Sequence, residues 1–479
     1  MSFSARTCET DITLYGATSF VAKHVLKYLV AVGNTDFHSD NNNKKIRITL
    51  GGRNKDKLAA VKKTFENDAM IQDVFVADGS DLERLKTMAK RTQVVLNCAG
   101  PYEKYSSLVV AACSEVGCDY VDITGEVAWV AKMREKYGEF AKASGARIVS
   151  LCGYDSIPSD MGVFCAVQAL RESASQSKSK SSKSKGVQVE NARIWHQAFG
   201  MPNGGTIHTF CDIPFHPMED FFQKSSSNTS LRRVPYFVGD PLCLSNPKKV
   251  KNNPEFQQTK NIMAKGEWLN QIVLLEPDLF YGVSLPFAMS AVNLKVVQAS
   301  AVALSYGENF KAQERILPLG YLGTKLASIF VLFPIAMLHC VLLCFAGILR
   351  LPVIGKKVAN LVPPGTGVPD SLCYVGSNSV YCKLNGKVDE ADGDETGSPK
   401  LHTAYSYLCF EGDGGNSVTA QCVSEAALAL VLNRDSLPER SEDGFGTPAE
   451  ILGEALLQRF KKTKVRPVKI KTSVDAPIL

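Results

Sequence analysis

The sequence is short of the features that mark metal proteins, nucleic-acid binders and secreted scaffolds. Its 14 cysteines and 7 histidines include no pair at ligand spacing, so no metal site is predicted. The cysteines are also too sparse for a disulfide framework, and reduced thiols in a cytosolic environment are the expectation. The net charge of +6 is mild and comes in part from one Lys/Ser run, which makes no case for nucleic acid. The opening residues are polar and do not fit a secretory signal. Three smaller absences shape the reading of what remains. Two glycines of a phosphate-binding fingerprint are missing, the second strand ends without a carboxylate, and no Tyr-x-x-x-Lys pair follows a strand in the first half.

The chain is organised around Asp11–Ala22. Ile12–Tyr15 is a short apolar run of β-favouring residues, Gly16 follows at once, and a helical pattern extends from Ser19 to Val32. Strand, tight turn and helix open a dinucleotide-binding βαβ unit. A turn without side-chain bulk admits a pyrophosphate, and the N–H groups of the helix start attract its charge. Gly16, Thr18, Ser19 and Phe20 are therefore candidate cofactor contacts, with Ser19 and Ala22 standing where glycines are usual.

Further strands are expected at Ile46–Leu50, Val74–Ala77, Val94–Asn97, Tyr120–Ile123 and Arg147–Leu151, with helical patterns between them. Six strands alternating with helices predict an α/β fold with a doubly wound parallel sheet. Arg53, at the end of the second strand, stands where an acidic residue would read the ribose of NAD. It suits a 2′-phosphate, so NADP is favoured over NAD, although a solvated residue at a helix start is the competing reading. Asp78 either meets the adenine edge or caps the next helix. Asn97, Ala99, Gly100 and Pro101 form a small-residue loop beyond a strand end, facing the cofactor or serving as a structural turn. Proton-donor candidates are Tyr102, Tyr154 and Asp155, all on loops beyond strand ends. Asp122 and Glu126 read equally as structural residues that bond backbone across those loops. Tyr321–Lys325 has the Tyr-x-x-x-Lys spacing but lacks strand-helix context, and His208 is the most conspicuous histidine.

Residues 1–170 read as the dinucleotide-binding domain and 171–186 as a low-complexity Ser/Lys loop, mobile at the surface. Residues 187–415 read as a second α/β domain for substrate or dimerisation, with strands at Val189–Ala198 and His402–Phe410. Residues 416–462 read as C-terminal helices packing back on the first domain. There Thr419–Leu432 is apolar, and Thr447 caps a helix with Pro448 at its first position. Residues 463–479 read as a loosely ordered tail. Leu326–Leu349 carries 24 residues without Asp, Glu, Lys or Arg. That is long enough to span a bilayer core. Pro334 allows a hairpin into one leaflet, and a buried helix pair or a dimer interface is the alternative.

Taken in order, Tyr15-Gly-Ala-Thr-Ser-Phe20, Gly52-Arg-Asn54, Asn97-Cys-Ala-Gly-Pro-Tyr102, Tyr120-Val-Asp-Ile-Thr-Gly-Glu126 and Cys152-Gly-Tyr-Asp-Ser-Ile-Pro-Ser-Asp160 resemble the saccharopine dehydrogenase-like oxidoreductases. That family includes the bacterial trans-acting enoyl reductases. The likeness continues through Gly204-Gly-Thr206, Pro286–Ser300, the apolar segment and Gly446-Thr-Pro448. It implies a Rossmann domain, a second α/β domain, a nicotinamide cofactor and association with membranes or lipid droplets. The expectation is an NADPH-linked oxidoreductase acting on a hydrophobic enoyl or carbonyl lipid at a lipid surface, with a homodimer left open by the sequence. The rival is an inactive Rossmann scaffold held at the same surface.

Overall fold

The computed structural model describes residues 8–35, 46–176, 187–204, 242–251, 274–276, 282–317, 365–388 and 399–478, less a few single positions within them. The first half runs β1 (Thr10–Tyr15), α1 (Phe20–Thr35), β2 (Ile48–Gly52), α2 (Lys55–Thr64), β3 (Ile71–Val76), α3 (Leu82–Lys90) and β4 (Thr92–Asn97). It continues through the short α4 (Tyr102–Tyr105), α5 (Ser107–Val116), β5 (Asp119–Asp122), α6 (Val127–Ser144) and β6 (Ile148–Val149). The strands pair in parallel, in the order β3-β2-β1-β4-β5-β6. The order reverses between β1 and β4, which opens a crevice at their carboxyl ends.

Burial explains the composition of these strands. β1 is buried along its whole length, and Leu14 lies beside Leu50 and Leu96 in register. Strands covered on both faces read as continuous apolar runs. One face is covered by α1 and the helix Thr419–Leu432, the other by α3, α5 and α6.

The long helix α7 (Ile157–Gln176) joins the two halves. Its residues 157–167 are all buried, as expected of a helix that is enclosed on every side. It packs against the second sheet, where Ser406 donates to the Gly162 carbonyl at 2.6 Å. That sheet comprises β7 (Val187–Gln197), β8 (Leu274–Glu276), β9 (Gly282–Pro286), β10 (Lys311–Ile316), β11 (Ser377–Val388) and β12 (Lys400–Glu411), and the helix Ser290–Ala303 lies between β9 and β10. β13 (Phe445–Gly446) then extends the first sheet beyond β6, and β14 (Lys469–Val474) pairs antiparallel with β12 at the edge of the second.

Several expectations change here. The tail is no loose end, because residues 469–474 form an edge strand whose lysines suit an exposed edge. Gly412–Gly415 leads into a π-helical turn, Gly414–Val418, ahead of the helix Thr419–Leu432. The helix begun at Pro448 breaks at Leu452, and a second one runs Gly453–Lys462. α7 takes up the first residues of the expected Ser/Lys loop. None of the described helices is long and apolar enough to cross a membrane. Leu326–Leu349, Tyr321–Lys325, His208 and residues 177–186 lie outside the described residues.

Candidate active site

The turn between β1 and α1 admits only glycine at residue 16. Its φ is +73°, and a Cβ there would stand 2.7 Å from the Ala99 nitrogen. The turn is held from below, since the N–H groups of Gly16 and Ala17 both donate to the Gly51 carbonyl, at 3.0 and 3.2 Å. Ser19 replaces the second fingerprint glycine with a cap, its hydroxyl accepting from the Ala22 N–H at 3.3 Å. Thr18 is exposed, and Phe20 lies beneath Gly367, where a Cβ would fall 2.4 Å from its ring. These features leave a backbone-lined, positively polarised turn that fits a pyrophosphate.

At the adenosine end Arg53 is exposed, with its guanidinium 5.5 Å from the centre of the Tyr105 ring. Asp78 is exposed nearby. Its carboxylate accepts from the Ser80 hydroxyl at 2.7 Å and the Ser80 N–H at 2.9 Å, and these bonds, with Arg53 adding, hold its pKa below the usual range. The helix cap is Asp81, which accepts from the Arg84 N–H at 3.0 Å. Asp78 therefore closes a local turn and leaves the α3 terminus to its neighbour.

The loops after β4 and β5 are wired together. Asn97 donates to Ser106 and Tyr120, at 2.8 and 2.9 Å, and accepts from the Ala99 N–H at 2.9 Å. Gly100–Pro101 is a cis peptide, and the loop it belongs to borders Gly16. Tyr102 is buried, and its hydroxyl donates inward to the Asn97 carbonyl at 3.2 Å. Burial drives its pKa well above the ordinary tyrosine value. Glu126 accepts from the N–H groups of Tyr102 and Glu103, at 2.8 and 2.9 Å. Asp122 accepts from Tyr120, Ser150, Thr124 and Leu151, while burial raises its pKa to about 6. Asp122 and Glu126 thus bind backbone across the loops, one of the two roles expected for them.

The loop after β6 starts at Leu151, whose φ of +63° is uncommon for a branched side chain. Tyr154 turns inward, edge-on to Phe410 and against Gly414. Asp155 is the exposed member of residues 151–160. Desolvation by the neighbouring protein and repulsion from Glu314 lift its carboxyl pKa to about 6, against a smaller pull from His196. Of the three proton-donor candidates, Asp155 is exposed, while Tyr102 and Tyr154 are buried.

A second group of residues, unmarked in the sequence reading, lies behind Asp155. In the first turn of α7, Ser159 donates to Glu314 at 2.6 Å. His196, at the carboxyl end of β7, lies 2.7 Å from the same Glu314 oxygen, and Asn293 donates to it at 3.0 Å. The signal for this cluster was a charged residue at an inward-facing position of a strand.

Comparison with known proteins agrees with this geometry. Residues 12–149 match the saccharopine dehydrogenase NADP binding domain. These residues form an NADP-binding domain, which supports an NADP-dependent oxidoreductase resembling the saccharopine dehydrogenases. Its particular likeness is to enoyl reductases. A Mycobacterium tuberculosis protein provisionally named a trans-acting enoyl reductase is 29% identical over 455 residues, which cover 94% of this chain and 95% of the relative. A trans-acting enoyl reductase of Mycobacterium bovis is 28% identical over 465 residues, covering 94% and 96%. The apo saccharopine dehydrogenase (L-Glu forming) of Saccharomyces cerevisiae superposes with a TM-score of 0.44 at 13% identity, over 97% of this chain and 100% of the other.

Proposed function

We propose that the protein reduces a hydrophobic enoyl or carbonyl substrate with NADPH, at a lipid surface. The carrying observation is Asp155, the exposed carboxyl of the loop after β6, at the carboxyl edge of the sheet where open α/β folds bind their ligands. NADPH supplies a hydride when bound, and the remaining requirement is a proton, which Asp155 is placed to deliver. Gly16, Thr18, Ser19 and Phe20 hold the pyrophosphate. Arg53 meets the 2′-phosphate, with Tyr105 supporting its guanidinium plane and Asp78 bordering the adenine. Asn97, Ala99, Gly100 and Pro101 line the floor beside Gly16. The enoyl class is drawn from the names of the relatives, and the lipid surface from the apolar character of Leu326–Leu349.

Fluorescence titration with NADPH and NADH tests this directly. Wild-type protein binds NADPH more tightly than NADH. Arg53→Ala weakens NADPH binding by about tenfold or more, a loss of about 1.4 kcal/mol, and leaves NADH nearly unchanged. Absence of binding by either nucleotide would overturn the enzyme reading and leave the lipid-surface scaffold in its place.

A further inference from the structure

His196 and Glu314 are fully buried, and each has one polar atom that meets nothing among the described residues: Nδ1 of the imidazole and Oε2 of the carboxylate. Their other atoms are heavily engaged. Glu314 Oε1 accepts from Ser159 at 2.6 Å and from Asn293 at 3.0 Å, and His196 Nε2 lies 2.7 Å from it. Ser159 has committed its proton to Glu314, so the Nε2 hydrogen of His196 points at a carboxylate and a hydroxyl oxygen, 3.0 Å away in the latter case. Behind them Ser156 donates to Asn293 at 3.1 Å. A pair serving only the fold would have its remaining atoms satisfied, as nearly all buried polar groups are. Here the fixed half positions the open half. The Phe287 ring stacks on His196 at 4.4 Å and is itself partly exposed, so it covers the pair from the solvent side.

We propose that His196 and Glu314 form the seat for the substrate's acyl carbonyl, with Phe287 as the cover the substrate displaces. This rests on the NADPH-linked reduction proposed above. His196 presents Nδ1 to the carbonyl oxygen conjugated with the reducible double bond, and Glu314 Oε2 accepts from a neighbouring N–H or O–H of the same molecule. Hydride from NADPH forms a C–H bond at the β-carbon. The π electron pair moves to the carbonyl oxygen, where His196 stabilises the enolate. The enolate then takes a proton at the α-carbon from Asp155, which regains one from solvent. The product is the saturated acyl compound, with NADP⁺ as the oxidised partner.

The test uses the full chain, NADPH and the N-acetylcysteamine thioester of trans-2-decenoic acid. His196→Gln retains a donor toward Glu314 and removes Nδ1. We expect kcat/KM to fall by about 100- to 1000-fold, as for loss of an oxyanion donor, with NADPH affinity and melting temperature preserved. Glu314→Gln is the second variant, also expected to lower kcat/KM, should the first fold poorly. A kcat/KM within about threefold of wild type in a folded His196→Gln protein makes the pair purely structural and overturns the inference. If the wild type binds NADPH but does not reduce the thioester, the reaction assigned above fails by itself. Calorimetry with the saturated decanoyl thioester then decides the seat. Binding lost in His196→Gln supports it, and binding that is absent or equal in both proteins overturns it.

Discussion

Asp155 carries a testable pH signature. Its folded pKa of about 6 lies above the ordinary aspartate value of 3.8, so it holds its proton below about pH 6 and loses it as pH rises. A rate that depends on its proton is therefore flat at low pH and falls through that range. Asp155→Asn should lower kcat by about 100- to 10,000-fold, the usual contribution of a general acid, and remove this limb from the profile. Steady-state kinetics from pH 5 to 8 would show both effects. An unchanged profile in the variant would remove Asp155 from the chemistry. Gly16 and Arg53 were legible in the sequence because a strand-turn-helix pattern fixes their place from local residues alone. His196 and Glu314 were not, because 118 residues separate them and neither sits in a local motif. Their meeting depends on β7 and β10 lying side by side in register, which no short window of sequence encodes.

At the level of elements, apolar continuity made the buried parallel strands readable, and the cap at Thr447 behaved as its residue type implies: its hydroxyl accepts from the Glu450 N–H at 3.1 Å. β11 and β14 were hidden by their polar residues. In β11 those polar residues alternate with Val380, Cys382 and Leu384, which face the core, while β14 is an exposed, lysine-rich edge. Removing residues 469–479 should expose the backbone of β12 from Ala404 to Cys409. An uncovered edge next to Tyr405 and Tyr407 invites pairing between chains. The truncated protein should scatter light after mild heating under conditions where the full chain stays clear. Equal scattering would show that β14 adds little to the edge.

At the scale of the whole molecule, two sheets share α7, and Asp155 lies just ahead of that helix's start at Ile157. Leu326–Leu349 falls between β10 and β11, neighbours in sequence order within the second sheet. Excising it should leave NADPH affinity and melting temperature close to those of the full chain while abolishing flotation with phospholipid vesicles. Aggregation of the excised protein, together with a dimeric full chain in sedimentation, would instead assign the segment to a buried interface.

The last strands of both sheets come from the far end of the chain. β13 completes the first sheet and β14 the second, and the helix Thr419–Leu432 fills the face under β1, β4 and β5. As the polypeptide leaves the ribosome, the face of the cofactor domain that α1 covers in part stays incomplete until residues beyond 419 emerge. Domains generally fold in the order of their synthesis. This one is closed by residues made after almost the entire second domain, so its apolar face is completed late in synthesis.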